Sequence, residues 1–88
     1  METIVAVAIK VDKDVYSLPA PARHQDVYDL ICEKDVSLLQ KPHYHCEGFL
    51  TSENRFVNRY DAAQIARRAK QIKNPNYIES HLYSEDLW

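Results

Sequence analysis

From Thr3 to Val11 the side chains separate into two sets by strict alternation, the period of a β-strand. Thr3, Val5, Val7, Ile9 and Val11 form one face, and Ile4, Ala6, Ala8 and Lys10 form the other. The two alanines leave room for close approach, and the ordinary occupant of such a face is a packed helix. Asp12-Lys13-Asp14 breaks the pattern, and Val15 to Leu18 reads as a second strand paired antiparallel with the first. Pro19 and Pro21 end it, because proline cannot donate to a ladder.

The period changes at Ala22. His24, Val27, Tyr28 and Ile31 recur at helical spacing, so a first helix is expected over Ala22 to Lys34. Pro21 suits the entry to a helix, where its missing N–H costs nothing. That places Arg23 and His24 in the first turn. Asp35 to Glu47 carries little pattern, with Val36, Leu38 and Leu39 suggesting a short buried turn or strand before the break at Lys41-Pro42. Glu47 to Thr51 and Arg55 to Val57 read as two further strands joined through Ser52-Glu53-Asn54, where asparagine suits a left-handed position. Asn58 is a good N-cap, with Asp61 three residues on. Ala62, Ile65, Ala66, Ala69 and Ile72 then trace a narrow apolar stripe, so a second helix is expected as far as Lys73, stopped by Asn74-Pro75-Asn76. Leu82, Leu87 and Trp88 make the segment from Tyr77 to Trp88 a docked tail, since dangling they would be an aggregation liability.

The expected order is β-β-α-β-β-α in a single domain, residues 1–88. The fold class is α+β: a small antiparallel sheet with two helices on one face and a docked C-terminal tail. One face of such a sheet stays uncovered in a monomer, which argues for a dimer or larger homo-oligomer.

Composition narrows the function. With 88 residues, 45% apolar and 27% charged, the chain matches an ordinary globular protein. A net charge of −2 lacks the basic excess of nonspecific duplex binding, so no nucleic-acid polymer is expected as a partner. The longest apolar run, Ile4 to Ile9, is far too short to span a bilayer, and no secretory leader is recognisable. The two cysteines, Cys32 and Cys46, make no disulfide framework. A cytoplasmic protein with free thiols is expected.

The chemistry on offer is binding chemistry. A single glycine excludes a Gly-rich phosphate loop, and there is no nucleophile elbow or His-Glu-x-x-His. His43 and His45, with His24, Cys32 or His81, lack the paired spacings of a zinc site, so no metal and no cofactor are expected. Cations at a helix start are unfavourable, and Arg23 and His24 there suggest a held anion; a solvated arginine and a packed histidine is the plainer reading. Arg23, Phe49, Tyr83, Glu85 and Asp86 could together meet a phosphate, a base and ribose hydroxyls. Catalysis would have to use His24 as acid or base, with Glu85 or Asp86 orienting it.

The succession Pro19-x-Pro21-x-Arg23-His24, Gly48-Phe49, Arg55-Phe56-Val57-Asn58-Arg59, Ala62-Ala63-x-Ile65-Ala66, Gln71-Ile72 and Leu82-x-Ser84-Glu85-Asp86-Leu87-Trp88 resembles a family of small phage proteins. That group in turn resembles the Thoeris anti-defence nucleotide sponges, oligomers that hold cyclic ADP-ribose isomers, and in some members cyclic oligonucleotides, without cleaving them. The resemblance implies a phage protein acting in the host cytoplasm, with a cyclic nucleotide as ligand and no enzymatic activity. It implies that Arg23 and His24 meet phosphate, that Phe49 lines or stacks on the adenine, that Asn58 and Arg59 border the ligand, and that Ser84, Glu85 and Asp86 bind ribose or phosphate-side polar atoms. Two positions depart from the pattern. Asn54 stands for a glycine in the hairpin turn, and Glu47 for a glutamine, where a carboxylate facing the ligand would repel phosphate. The alternatives are a protein–protein inhibitor module acting on a host defence enzyme, and a small phosphodiesterase built on His24.

Overall fold

A four-stranded antiparallel sheet carries both helices on one face, in the computed structural model, which describes residues 1–39, 45–73 and 81–88. Strand β1 is Ile4–Val11, β2 is Asp14–Pro19, β3 is His45–Thr51 and β4 is Phe56–Asn58. Helix α1 is His24–Asp35 and α2 is Arg59–Arg68. The strand order is β2-β1-β3-β4. The expected α+β architecture is therefore the observed one. The expected breaks at Lys41-Pro42 and Asn74-Pro75-Asn76, the histidine at 43 and the start of the tail at Tyr77 lie outside the described residues.

A bulge rearranges β1. The register to β3 slips between Ile4 and Ala6, so alternation restarts there. Val5, expected on one face with Val7, Ile9 and Val11, is 41% exposed, and Ile4, expected on the alanine face, is buried in the core. Val7, Ile9 and Val11 face the helices, together with Phe49 of β3 and Val57 of β4. The alanine face is thus the one without helices among the described residues, a correction to the expected packing. The long β-branched residues of the opposite face offered the helices more apolar area to bury. On the alanine face the buried Ala6 pairs with Pro19 and Leu50, and the buried Ala8 pairs with Ser17 and Gly48.

Gly48 is required where it stands. A Cβ there would meet the Val57 carbonyl oxygen and come within 2.6 Å of the Phe56 ring. The aromatic ring fills the space that the missing side chain leaves.

The hairpin turns follow expectation. Asp12 and Asn54 both take left-handed conformations, φ 54° and 61°, which short polar residues tolerate. At the strand end Arg55 forks onto Glu2, Nε and Nη2 donating to its two carboxylate oxygens at 2.9 and 2.7 Å. That pairing, with a smaller contribution from Thr51, lowers the Glu2 carboxyl to about 2.

Both helices begin or end differently from their sequence outlines. Arg23 is extended (φ −110°, ψ 164°) and caps α1 rather than joining its first turn. The Asp26 carboxylate accepts the Arg23 N–H at 2.7 Å, supplying the anion that helix start favours. Val36–Leu39 continues as a 3-10 turn, the turn of the two expected forms, but not a buried one, with Val36 56% exposed. In α2 the Asn58 carboxamide oxygen accepts the Asp61 N–H at 2.8 Å, as expected. The helix then stops at Arg68, well before Lys73. Lys70 is left-handed (φ 57°), its N–H reaches Arg67 O, and the Gln71 N–H reaches Ala66 O, which is a Schellman closure without glycine. The early exit has a reason. It frees Gln71 to pair with the main chain of Ile4, accepting from its N–H and donating to its carbonyl, both at 2.8 Å.

The tail docks. Leu82 is fully buried in the core, and Ser84–Asp86 forms a 3-10 turn. Trp88 Nε1 donates to Ala22 O at 2.9 Å, and Lys73 N–H donates to Asp86 O at 2.9 Å. The tail therefore links the approach to α1 with the exit from α2.

Candidate functional site

The two helices start beside the same part of the sheet. His24 opens α1, and its Nε2 lies 2.7 Å from Gly48 O in β3. Arg59 opens α2 directly after Asn58, the β4 partner of Gly48. A carbonyl can only accept, so His24 Nε2 carries the proton and Nδ1 the lone pair in the neutral ring. The imidazole is buried, edge-on to Phe49 with centroids 5.0 Å apart. Burial lowers its pKa below the ordinary histidine value, against the opposing pull of the Gly48 hydrogen bond.

Tyr28 follows His24 one helical turn later, and so faces the same strand. Its hydroxyl donates to Glu47 Oε2 at 2.6 Å. Strand alternation puts Glu47 on the face of Phe49, toward the helices. Arg59 Nη2 donates to the other carboxylate oxygen, Oε1. Burial pushes the Glu47 carboxyl up, but the bonds from Tyr28 and Arg59 outweigh it and the net shift is downward. The Tyr28 phenol is pushed up, by burial first and by the adjacent carboxylate second. The second arm of Arg59, Nη1, donates to Leu82 O at 2.7 Å. Its guanidinium also lies 4.8 Å from the centre of the Tyr83 ring. One arginine thus joins β3, α2 and the tail.

Each residue expected at the site has a definite place. Arg23 sits next to His24, and its Nη1 is buried with no hydrogen-bond partner among the described residues. Buried donors are almost always paired, so this one is conspicuous. His24, Phe49 and Arg59 gather around Gly48, and the exposed Glu85 is close enough to raise the His24 pKa slightly. Phe49 is fully buried, so it offers no open face to a base and serves as the floor under His24. The Asn58 carboxamide oxygen is taken up by the α2 cap. Ser84 is buried, and its main-chain oxygen accepts from Leu87 and Trp88. The Asp86 carboxylate accepts the Tyr83 N–H at 2.9 Å. Ser84 and Asp86 therefore shape the tail turn.

Tyr28 was not singled out as a site residue, although its spacing from His24 could have found it. Tyr83 is among the residues expected to meet a ligand and His81 only among the possible metal ligands; the outward placement of both follows once Leu82 is known to point inward. Glu47 meets Arg59 directly, so the carboxylate stands where a phosphate on that arginine would stand. Among the described residues no group of three or more His, Cys, Asp and Glu could hold a metal ion, and no helix is long and apolar enough to cross a membrane.

Residues 3–88 match the family model described as "Phage T4 y16D protein", and the chain belongs to that family. The match supports the likeness to a small phage protein family and does not extend to the nucleotide sponges. No curated protein and no solved structure matches the chain.

Proposed function

We propose that this member of the phage T4 y16D family is an anti-defence protein that binds a cyclic nucleotide immune messenger, a cyclic ADP-ribose isomer or a cyclic oligonucleotide, and sequesters it uncleaved. The observation that carries the reading is Arg23 Nη1, buried and without an acceptor at the N-terminus of a 12-residue helix. A ligand phosphate would supply that acceptor, aided by the helix dipole. His24 and Arg59 border the site, Glu85 lies within reach of ribose hydroxyls, and Glu47 keeps phosphate away from Arg59. Binding without cleavage suits His24, whose Nε2 is held by Gly48 O. A phosphodiesterase would have to work through Nδ1. The protein acts in the host cytoplasm as a homo-oligomer.

The test is release. The protein is mixed with a panel of cyclic ADP-ribose isomers and cyclic oligonucleotides, separated from free ligand, heated, and the supernatant chromatographed. Intact ligand is expected from the wild type and none from Arg23→Ala. Cleaved products, or equal retention by Arg23→Ala, refute the reading.

A second reading is an inhibitor module that docks on a host defence enzyme. It is favoured by the sheet face without helices, where Val15 is 41% exposed on the side of Ala6 and Ala8. Phage protection that survives Arg23→Ala but fails in Val15→Lys selects it.

A further inference from the structure

The tail passes the start of α2 with residue 82 fixed against residue 59. Leu82 N–H donates to Arg59 O at 3.1 Å, and Arg59 Nη1 donates back to Leu82 O at 2.7 Å. The Leu82 side chain is fully buried. Tyr83 is extended (φ −115°, ψ 152°), and alternation about Leu82 turns His81 and Tyr83 away from the core. Each meets the first turn of α2. The His81 ring lies 4.1 Å from the Tyr60 ring, tilted by 48°, and the Tyr83 ring covers the Arg59 guanidinium at 4.8 Å. Tyr60 is 51% exposed and Tyr83 is 45% exposed. None of the three rings belongs to the core cluster. A half-exposed Tyr60 packed on His81, and a half-exposed Tyr83 backed by a guanidinium at the same helix start, have the chemistry of a base-stacking surface.

We infer that Tyr60, His81 and Tyr83 form a stacking platform for the nucleobase of a small nucleotide, with Arg59 setting the charge beneath it. Rings take any base by its π-face, and the Arg59 guanidinium backs the Tyr83 ring without meeting the phosphate, its two arms being held by Glu47 and Leu82 O. This deepens the proposed function by naming where the base rests, and it moves that role from the buried Phe49 to the surface. The platform needs no anion at Arg23, so the two claims separate.

The probe is 2-aminopurine riboside 5′-monophosphate, whose fluorescence is quenched on stacking, with ribose 5-phosphate as the baseless control. The wild type is expected to quench the probe, and ribose 5-phosphate to compete poorly. Tyr83→Leu and Tyr60→Leu should each weaken binding roughly fivefold or more, the lower end of the effect of losing a stacked base. Tyr83→Trp should restore it, and thermal melts should show all three variants folded. Absence of quenching by the wild type, or unchanged binding in both leucine variants, overturns the platform. Full messenger release that persists in both leucine variants leaves sequestration standing and the platform refuted. Quenching lost in Tyr83→Leu, in a protein that retains no messenger, leaves the platform standing and sequestration refuted. Competition by single-stranded oligothymidylate far stronger than its content of bases explains overturns the small-nucleotide assignment.

Discussion

Replacing Arg59 by alanine should do more damage than its position at a helix start suggests. The hydrogen bond to Leu82 O is charge-assisted and partly buried, and its loss costs about 1.5–3 kcal/mol. The ion pair with Glu47 is worth less. The glutamate side chain keeps 35% of its exposure, so solvent screening holds the pair to about 1 kcal/mol or below. The contact with the half-exposed Tyr83 ring adds about 0.5–1 kcal/mol. Together these give a loss of about 3 kcal/mol. For a domain of this size that corresponds to a fall in Tm on the order of 12–24 °C. Urea unfolding followed by far-UV circular dichroism measures the loss. A cycle with Glu47→Gln isolates the ion pair, with an expected coupling of about 1 kcal/mol. Arg59→Lys should recover only part of the stability, because one ammonium cannot span both acceptors. A loss below about 1 kcal/mol for Arg59→Ala would refute the account of Arg59 as the joint between strand, helix and tail. Zero coupling with Glu47 would refute the pair itself.

Leu82→Ala should cost about 2–5 kcal/mol and release the tail amides to rapid hydrogen exchange, read by mass spectrometry. Gly48→Ala should cost about 1–3 kcal/mol or more in thermal melts, since the added carbon meets backbone in mid-sheet as well as the Phe56 ring. Phe49→Leu should lower stability yet leave messenger release intact, which separates a core role from a ligand role. Acid should destabilise the protein in two windows. His24 has a lowered folded pKa, so the unfolded chain takes its proton first and stability falls as pH drops below about 6.5; His24→Gln should flatten that limb of a urea-midpoint titration. Glu47 also has a lowered folded pKa, so its contribution is complete above the ordinary carboxylate range. It is lost as pH falls through the lowered value, and Glu47→Gln should remove that limb.

Local chemistry made much of the fold legible. The alternation in β1, the left-handed Asn54 turn, the Asn58 cap and the apolar stripe of α2 are each decided by neighbours within a turn or a strand. The side of the sheet that the helices cover was not decided locally. A bulge at Val5 exchanged Ile4 and Val5 between faces, and a bulge depends on the partner strand. The end of α2 was likewise set at a distance, by Gln71 reaching Ile4. Of the residues expected at the site, Arg23, His24 and Arg59 stand at the two helix starts, beside a docked tail. It assigned Phe49 to a ligand because it could not see that His24 and the two helix starts close over that ring.

The sequence by itself determined the elements, their order and the need for the tail to dock, because periodicity, caps and apolar content act over short spans. Only the tertiary structure decided what each polar group meets. Glu47 is the clearest instance: one carboxylate, placed by strand register, whose partners Tyr28 and Arg59 come from two different helices. Its bonds depend on distances across the fold, and sequence spacing carries no such distances.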